Sequence, residues 1–278
     1  MKFSIVTVAF NGASTLPTAL ESVWRQLRAD FEIEHVVVDG GSKDGTVALL
    51  QAHAARVSET PGFSFGWTSE PDDGLYDAMN KGVARATGDV IGILNADDVL
   101  AADDVLMRVA AAFRGMESLD CVFGNVRFVD ASTCPDAGLD DLRALRTRRV
   151  CFARRWRPWM LQWGYMPPHP AIFIRRVRFS DWRGYVPSRK EYRIAADYEL
   201  LIRYFCRNRM SYRYTPVCVT TMRMGGVSTR DVEARRKLNA EIIKGNRVNG
   251  YFCCWPMLLP KYAVKIWEVL LPKLGLIH

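Results

Sequence analysis

Carboxylate side chains cluster at three points in the first hundred residues, where the sequence changes from apolar runs to polar turns. Segment 95–98, Asn-Ala-Asp-Asp, follows the apolar run 90–94, and adjacent carboxylates repel each other unless a cation or strong donors lie beside them. Oxygen ligands suit Mg²⁺ or Mn²⁺, which bind one or two carboxylates together with substrate phosphates. Asp97 and Asp98 therefore predict a divalent-metal site that would neutralise a phosphate leaving group. The alternative is that both residues only cap a helix beginning near Ala101.

A second cluster begins at Asp39, directly after another apolar run. The glycines that follow let a ligand approach the backbone closely, and the Asp39 carboxylate could accept hydrogen bonds from a base or ribose. Gly40 and Gly45 have the spacing of a P-loop, but Thr46 stands where that motif requires Lys. The alternative, which this segment taken alone favours, is a tight strand-to-helix turn with Asp44 as the cap.

The third cluster spans residues 70–82 and combines acidic, amide and lysine side chains. Gly74 belongs to a turn, and Asp77, Asn80 and Lys81 follow within one helical turn, on adjoining faces. Such a cluster could hold the sugar or the phosphates of a nucleotide. The alternative is a capped and solvated helix start.

The elements that carry these clusters alternate between strands and helices. Strand-like runs at 3–10, 33–38, 65–68 and 90–94 are separated by segments of helical spacing. Near-continuous apolar strands in this order predict a mostly parallel sheet that is covered on both faces. Ligands collect at the carboxyl ends of the strands in such sheets, and the acidic clusters occupy those ends.

Taken together, these segments resemble the family 2 glycosyltransferases. The matching segments are Ser4–Asn11, Val37–Thr46, Ser69–Gly82 and Leu94–Asp98, in the family's order. The resemblance implies a GT-A-type α/β fold, with a Rossmann-like, mostly parallel sheet flanked by helices. It also implies an inverting, metal-dependent transfer of a sugar from a UDP- or GDP-sugar to an acceptor hydroxyl. The chain is similar in particular to bacterial enzymes that build exopolysaccharide, colanic-acid-type or lipopolysaccharide repeat units.

The resemblance and the polar clusters together give a set of expected site residues. The expected donor-binding residues are Thr7, Ala9, Asn11, Asp39, Glu70, Asp72, Gly74, Asp77, Asn80, Lys81, Asn95, Ala96 and Asp97. The expected ligands of Mg²⁺ or Mn²⁺ are Asp97 and Asp98. Many relatives have Asp at the position of Asn95, so the division of labour between Asp97 and Asp98 stays open.

Asp197 is the predicted catalytic base. Family members place a carboxylate, often in a Glu-Asp pair, at a helix start about a hundred residues beyond the metal motif, and segment 195–203 matches with Ala196 replacing the usual Glu. The acceptor hydroxyl must lose its proton as it attacks the anomeric carbon, which requires a carboxylate within hydrogen-bonding reach. Without the resemblance, an ordinary helix cap is the favoured interpretation of Asp197.

Two further segments resemble the acceptor side of family members. His169, between two prolines, is expected to contact the acceptor or the diphosphate, although a lone His is more often a structural hydrogen-bonding residue. Gly226 and Ser228 belong to a Gly-Gly-x-Ser loop that could close over the diphosphate through backbone N–H groups, and a plain turn is the alternative.

The second half of the chain is basic and aromatic in two places. The net charge of +8 suggests anionic partners: nucleotide phosphates, an acidic membrane surface or nucleic acid. The stretch 143–157 and the tail 251–278 predict either peripheral membrane contact or packing of a helical extension within the molecule. Three prolines interrupt the tail, so no single long amphipathic helix is expected there.

The domain organisation follows from these patterns. We expect a catalytic domain over 1–230, with a nucleotide-sugar half (1–100) and an acceptor half (101–230), and a helical, partly amphipathic extension over 231–278. The N-terminal residues lack the zones of a signal peptide, and no window offers about 18 uninterrupted apolar residues. We therefore expect a cytoplasmic protein that reaches the inner face of the membrane if the tail binds lipid, and an acceptor that is a glycan or lipid-linked.

Two other classes of function stay open at this point. A sugar-phosphate nucleotidyltransferase shares the layout but normally needs a glycine-rich, cationic loop after the first strand, and residues 11–15, Asn-Gly-Ala-Ser-Thr, lack a cation. A nucleic-acid-binding module would explain the charge, but the acidic strand ends would repel phosphate unless they carried metal. No nucleic-acid partner is expected.

Overall fold

The computed structural model describes residues 1–27, 30–132, 134, 136–186, 191–225 and 232–274. The strands are β1 (Lys2–Ala9), β2 (Glu32–Asp39), β3 (Phe63–Ser69), β4 (Val90–Asn95), β5 (Val99–Leu100), β6 (Cys121–Val129), β7 (Thr147–Cys151), β8 (Ile172–Arg175) and β9 (Tyr212–Arg223). The helices are α1 (Leu16–Trp24), α2 (Thr46–Val57), α3 (Leu75–Arg85), α4 (Val105–Phe113), α5 (Leu139–Ala144), α6 (Arg176–Trp182), α7 (Ala196–Leu201), α8 (Val232–Val248) and α9 (Pro260–Lys273).

The strands form a single sheet in the order β3-β2-β1-β4-β8-β6-β9-β5, and β7 pairs with the second half of β6. Strands β3, β2, β1 and β4 are parallel neighbours, as the alternating sequence pattern predicts. Strand β8 runs antiparallel between β4 and β6, whereas β9 lies parallel to β6. The parallel part of the sheet therefore carries the predicted strand ends, and the later strands make the whole sheet mixed.

Both faces of the parallel part are covered, which explains the apolar character of β1. Val6 and Val8 pack on the side of α3 and α7, while Phe3 and Ile5 pack on the side of α1 and α4. Helix α3 approaches β1 closely at Gly82, because glycine has no side chain there. An added Cβ would lie only 2.3 Å from Val6 Cγ1. This close approach puts the polar start of α3 at the carboxyl edge of the sheet.

The C-terminal helices pack against the rest of the chain. Ile242 and Ile243 of α8 are buried in the same core cluster as Val6. Helix α9 packs on β7, where Arg149 Nη2 lies 2.7 Å from Glu268 Oε2, and the Glu268 carboxylate side chain is 3 % exposed. The tail is thus helical, as expected, and its separation as an extension over 231–278 stays a prediction.

No helix within the described ranges combines the length and the apolar character needed to cross a bilayer.

Candidate active site

The loops that follow β1 and β2 are joined by hydrogen bonds. Asn11 Oδ1 accepts the Lys43 N–H at 3.1 Å, and the Asn11 N–H donates to Ser42 Oγ at 2.7 Å. Asp44 Oδ2 accepts the Ala13 N–H at 3.0 Å. These bonds hold the two loops together at the carboxyl edge of the sheet, and the contact of Asn11 with the donor stays a prediction.

Asp39 lies at the end of β2 and has no exposed surface. Its carboxylate accepts the N–H groups of Gly41 and Ser42 at 3.2 and 2.9 Å, and the hydroxyls of Ser42 and Ser69, the latter at 2.6 Å. These donors tie the ends of β2 and β3 together. The contact between Asp39 and a base or ribose stays a prediction.

Thr7 and Ala9 lie beneath the surface. Thr7 has no exposed surface and its Oγ1 lies 3.0 Å from His35 Nε2, while Ala9 is 5 % exposed and packs in a cluster with Leu16 and Val37. Both side chains are covered because β1 is a central strand packed on both faces, and their part in the nucleotide pocket stays a prediction.

Phe10, which directly follows β1, was not among the predicted site residues. Its side chain is 66 % exposed, which is unusual for a large apolar side chain next to polar loops. A Cβ at Gly40 would lie 3.3 Å from Phe10 Cδ2 and 2.5 Å from Asp72 Oδ2, so these three residues adjoin. An exposed ring beside a carboxylate offers a stacking surface to a flat base. An aromatic residue between the first strand and Asn11 was the available signal.

The predicted cluster 70–82 forms one polar turn at the end of β3. Lys81 Nζ lies 3.5 Å from Glu70 Oε1 and 3.3 Å from Asp77 Oδ2. Gly74 has a φ of 108°, and its N–H donates to Asp72 Oδ1 at 2.7 Å. The structure therefore brings these five residues together, although they bond mostly to one another.

Asn80 has a different place from the rest of that cluster. Its Nδ2 donates to the Tyr185 carbonyl at 2.8 Å, and its Oδ1 accepts the Tyr185 N–H at 2.9 Å. Both ends of the amide are thus used to fix the Tyr185 backbone. Asn80 therefore adjoins the surroundings of Asp197, described below, and its contact with the donor stays a prediction.

The acidic turn after β4 lies on the same edge of the sheet as Asp39. Ala9 pairs with Asp39 on one side of β1, and Val8 pairs with Asn95 on the other. Asp97 is exposed, whereas Asp98 is 1 % exposed and accepts Asn95 Nδ2–H at 3.0 Å. Burial and the neighbouring charge of Asp97 raise the pKa of Asp98 well above its usual range.

The turn fits a divalent cation that is shared with a diphosphate. Asn95 Oδ1 is buried without a hydrogen-bond partner in the described part of the chain, so this amide oxygen is one candidate ligand. The exposed Asp97 carboxylate is a second. The described part of the chain contains no cluster of three or more His, Cys, Asp or Glu side chains that would hold a metal without further ligands. Mg²⁺ is usually bound through one or two carboxylates plus substrate phosphates, so this donor set is adequate. Ala96, 8 % exposed, packs near Gly12 and offers only its backbone.

Asp197 lies in the first turn of α7, beside a stacked pair of tyrosines. The Tyr76 hydroxyl is 3.2 Å from Asp197 Oδ1, and the Tyr198 N–H donates to the same oxygen at 2.8 Å. The Tyr76 and Tyr185 rings stack at 5.8 Å between centroids, and the Tyr185 hydroxyl lies 2.8 Å from His169 Nε2. The structure thus brings Asp197 and His169 together through two tyrosines that the sequence analysis did not identify.

Burial dominates the electrostatics of this cluster. It raises the pKa of Asp197, against the opposing influence of His169 and of the hydrogen bonds from Tyr198 and Tyr76. Burial also lowers the pKa of His169, which is 9 % exposed. A carboxylate with a raised pKa is a better proton acceptor, as a catalytic base requires.

Gly226 and Ser228, the predicted diphosphate loop, lie outside the described residues. The strand that leads to them is held to the acidic turn, because Arg223 Nε donates to the Asp97 carbonyl at 3.1 Å.

Comparison with known proteins decides the family. The sequence model of the family described as "Glycosyl transferase family 2" matches residues 4–179 of the chain. The chain belongs to this family. The transferase is 34 % identical over 232 residues to the PGL/p-HBAD biosynthesis glycosyltransferases of Mycobacterium bovis and Mycobacterium tuberculosis, covering 83 % of this chain and 80 % of theirs.

Solved structures agree on the fold of the transferase. The mannosyltransferase PcManGT from Pyrobaculum calidifontis, in complex with GDP-Man and Mn²⁺, has a TM-score of 0.60 at 18 % identity, covering 99 % of this chain and 73 % of that one. Glucosyl-3-phosphoglycerate synthase from Mycobacterium tuberculosis, in complex with Mn²⁺, UDP and glucosyl-3-phosphoglycerate, has a TM-score of 0.54 at 16 % identity, covering 88 % and 79 %. The predicted GT-A-type α/β fold and the transferase class are confirmed. The nucleotidyltransferase and nucleic-acid-binding alternatives gain no support.

Proposed function

We propose that the transferase moves one sugar from a UDP- or GDP-sugar to an acceptor hydroxyl with inversion, and that Asp197 is the base. The observation that carries this proposal is the Asp197 carboxylate, whose pKa burial raises and whose orientation Tyr76 and Tyr198 fix. The acceptor hydroxyl gives its proton to Asp197 while its oxygen bonds to the anomeric carbon. The bond from that carbon to the diphosphate breaks, and its electron pair leaves with the diphosphate. One direct displacement of this kind inverts the anomeric centre.

For the donor side, we propose that Asp97 and Asn95 Oδ1 face the diphosphate with Mg²⁺ or Mn²⁺. Two proteins of similar fold have solved structures in complex with Mn²⁺ and either GDP-Man or UDP, which supports a divalent metal at this site. A bound cation would supply positive charge to the leaving diphosphate. Asp98 would support this site, because it accepts the Asn95 Nδ2–H and so fixes the amide whose buried Oδ1 has no protein partner among the described residues. Phe10 and Asp72 would meet the nucleotide base.

A panel of nucleotide sugars tests the donor proposal. We expect one UDP- or GDP-sugar to raise the melting temperature of the protein with Mn²⁺ and to raise it less in EDTA. Asp97→Ala should remove the Mn²⁺-dependent part, whereas Asp104→Ala, a change at the partly exposed acid that precedes α4, should not. Equal shifts with and without Mn²⁺ for every donor would contradict the metal assignment.

We also propose that the acceptor is a glycan or lipid-linked, and that the tail contacts the inner face of the membrane. Relatives named for PGL/p-HBAD biosynthesis support a lipid-linked acceptor. Large apolar side chains are exposed along the tail: Phe252 (72 %), Trp255 (50 %), Leu259 (66 %), Ile266 (63 %) and Trp267 (56 %). Aromatic and aliphatic side chains of this kind enter the membrane interface, and nearby Lys and Arg attract anionic lipid.

Flotation with lipid vesicles tests the membrane contact. The transferase should float with vesicles that contain phosphatidylglycerol and less with phosphatidylcholine alone. The double change Ile266→Ser and Trp267→Ser should abolish flotation, because both side chains are more than half exposed. The control Met107→Ser changes an apolar side chain of α4 that is also exposed. Recovery of the unsubstituted protein in the unbound fraction with both vesicles would contradict the proposal.

A further inference from the structure

Helix α7, which carries Asp197, begins without a capping side chain of its own. Ala195 occupies the N-cap position, where Ser, Thr, Asp or Asn would accept a hydrogen bond from the first turn. The helix spans only Ala196–Leu201, and Asp197 is its second residue. The direction in which Asp197 projects therefore depends on contacts that come from other elements.

Glu241, in the middle of α8, provides such a contact. Its Oε1 accepts the N–H of Arg193 at 2.9 Å, and its Oε2 accepts the N–H groups of Ile194 and Ala195, each at 2.9 Å. The Glu241 residue is only 7 % exposed, so these three backbone donors, rather than water, satisfy its charge. One carboxylate thus binds three consecutive amides immediately before α7.

The other side of the same segment is held by α3. The Tyr76 hydroxyl donates to the Ile194 carbonyl at 2.5 Å and lies 3.2 Å from Asp197 Oδ1. Ile194 is therefore fixed at its N–H by Glu241 and at its carbonyl by Tyr76. The hydroxyl carries one proton, which the Ile194 carbonyl and Asp197 share, so a shift of the segment would change the bonding of the base itself.

Helix α8 is itself tightly docked on α7, so Glu241 acts from a fixed position. A Cβ at Gly245 would lie 3.6 Å from the Cβ of Glu199, which brings the two helices close together. Asn249 Nδ2 donates to Glu199 Oε1 at 3.1 Å, one turn beyond Gly245. The side chain of Ile242, next to Glu241, is 3 % exposed.

We propose that Glu241 is a positioning residue for Asp197, so that helix α8 is part of the catalytic architecture. This inference rests on the proposed function of Asp197 as base. Release of the three amides would let the start of α7 move, and a misplacement of about 1 Å can lower a rate by about 100-fold. Binding of the donor, at the strand ends, does not involve these contacts.

The test is steady-state transfer by the full chain carrying Glu241→Gln. The amide nitrogen of Gln faces backbone N–H groups and cannot accept from them, so we expect kcat to fall about 10- to 100-fold while the KM for the donor stays within about 2-fold. Amide hydrogen exchange at 193–195 should speed up. Glu241→Asp, which keeps the carboxylate, should restore part of kcat, and Glu233→Gln, at an exposed acid of the same helix, should behave as wild type.

The outcomes separate this inference from the function on which it rests. Wild-type kcat and unchanged exchange in Glu241→Gln, with transfer lost in Asp197→Asn, would overturn the positioning role alone. Wild-type transfer in Asp197→Asn would overturn the base assignment. If Glu241→Gln lowers kcat equally in the wild-type and Asp197→Asn backgrounds, Glu241 acts independently of Asp197, which also overturns the inference. If Glu241→Gln does not fold, Glu241→Asp is measured against the same criteria.

Discussion

Asp197 has the surroundings of a proton acceptor, and its replacement gives the most direct test at the scale of single residues. Asp197→Asn keeps the shape and the bond from the Tyr198 N–H but removes the basic oxygen. General-base catalysis typically contributes about 10²- to 10⁴-fold, so transfer should fall within that range while donor binding stays unchanged by calorimetry. Asp140→Asn, at a side chain 72 % exposed, is the matched control. Transfer at the wild-type rate would show that the base lies elsewhere.

The Tyr76 hydroxyl leads to a prediction about pH. Its hydrogen bond stabilises the charged form of Asp197 and so lowers a pKa that burial raises. Tyr76→Phe removes the bond, and the pKa of Asp197 should rise further. The acidic limb of the kcat profile should therefore move to higher pH. Tyr185→Phe removes a hydroxyl that bonds to His169 instead, and it should move the limb less. A shift of the Tyr76→Phe limb to lower pH would contradict the prediction.

Single residues also mark the limit of prediction from the sequence. The carboxylates of the strand ends were predictable because apolar runs stop directly before them, at Asp39 and Asp97. The contacts around Asp197 were not, because its hydroxyl partner is Tyr76, 121 residues away. The burial of Thr7 was not predictable either, since the sequence of a doubly covered strand gives no signal of which side chains reach the surface.

At the scale of elements, the packing of α3 on β1 positions the polar turn 70–82 and Tyr76 together. Gly82→Ala would put a Cβ 2.3 Å from Val6 Cγ1, which is closer than two carbon atoms can lie without a clash between α3 and β1. Overpacking of this kind costs about 1–3 kcal/mol, so the free energy of unfolding in urea should fall by that amount, with a loss of transfer because α3 is displaced. Gly66→Ala, where an added Cβ meets nothing within 4 Å, is the control. Equal stability of the two variants would contradict this account of the packing.

The elements of the first hundred residues were predictable, and several later ones were not. Strands β1 to β4 carry strong runs of β-branched and apolar residues between turn signals, and each appears where the pattern predicts it. Strand β5 has two residues, and β6 combines Gly124, Asn125 and Arg127 with apolar positions, so neither has a clear pattern. Their place in the sheet depends on pairing with β9, which follows β5 by about 120 residues and β6 by about 90.

At the scale of the whole molecule, a buried histidine couples stability to pH. Burial, with the nearby His53, lowers the pKa of His35 to about 3. The unfolded chain then binds more protons than the folded one between that value and the ordinary pKa of 6.5, so stability should fall as pH decreases through this window. The double change Thr7→Val and His35→Leu removes both members of the buried bond and should flatten the dependence, measured as urea midpoints from pH 7 to 4. The same slope in both proteins would contradict the role of His35.

The position of β4 in the sheet has a consequence for dissecting the protein. Its inner edge pairs with β1, and its outer edge pairs with β8, which the chain supplies only at residues 172–175. A fragment ending near residue 100 would leave a strand that is apolar up to Leu94 with open N–H and C=O groups, a template on which further copies add. Expressed alone, residues 1–100 should assemble into insoluble material rather than fold as a small independent module.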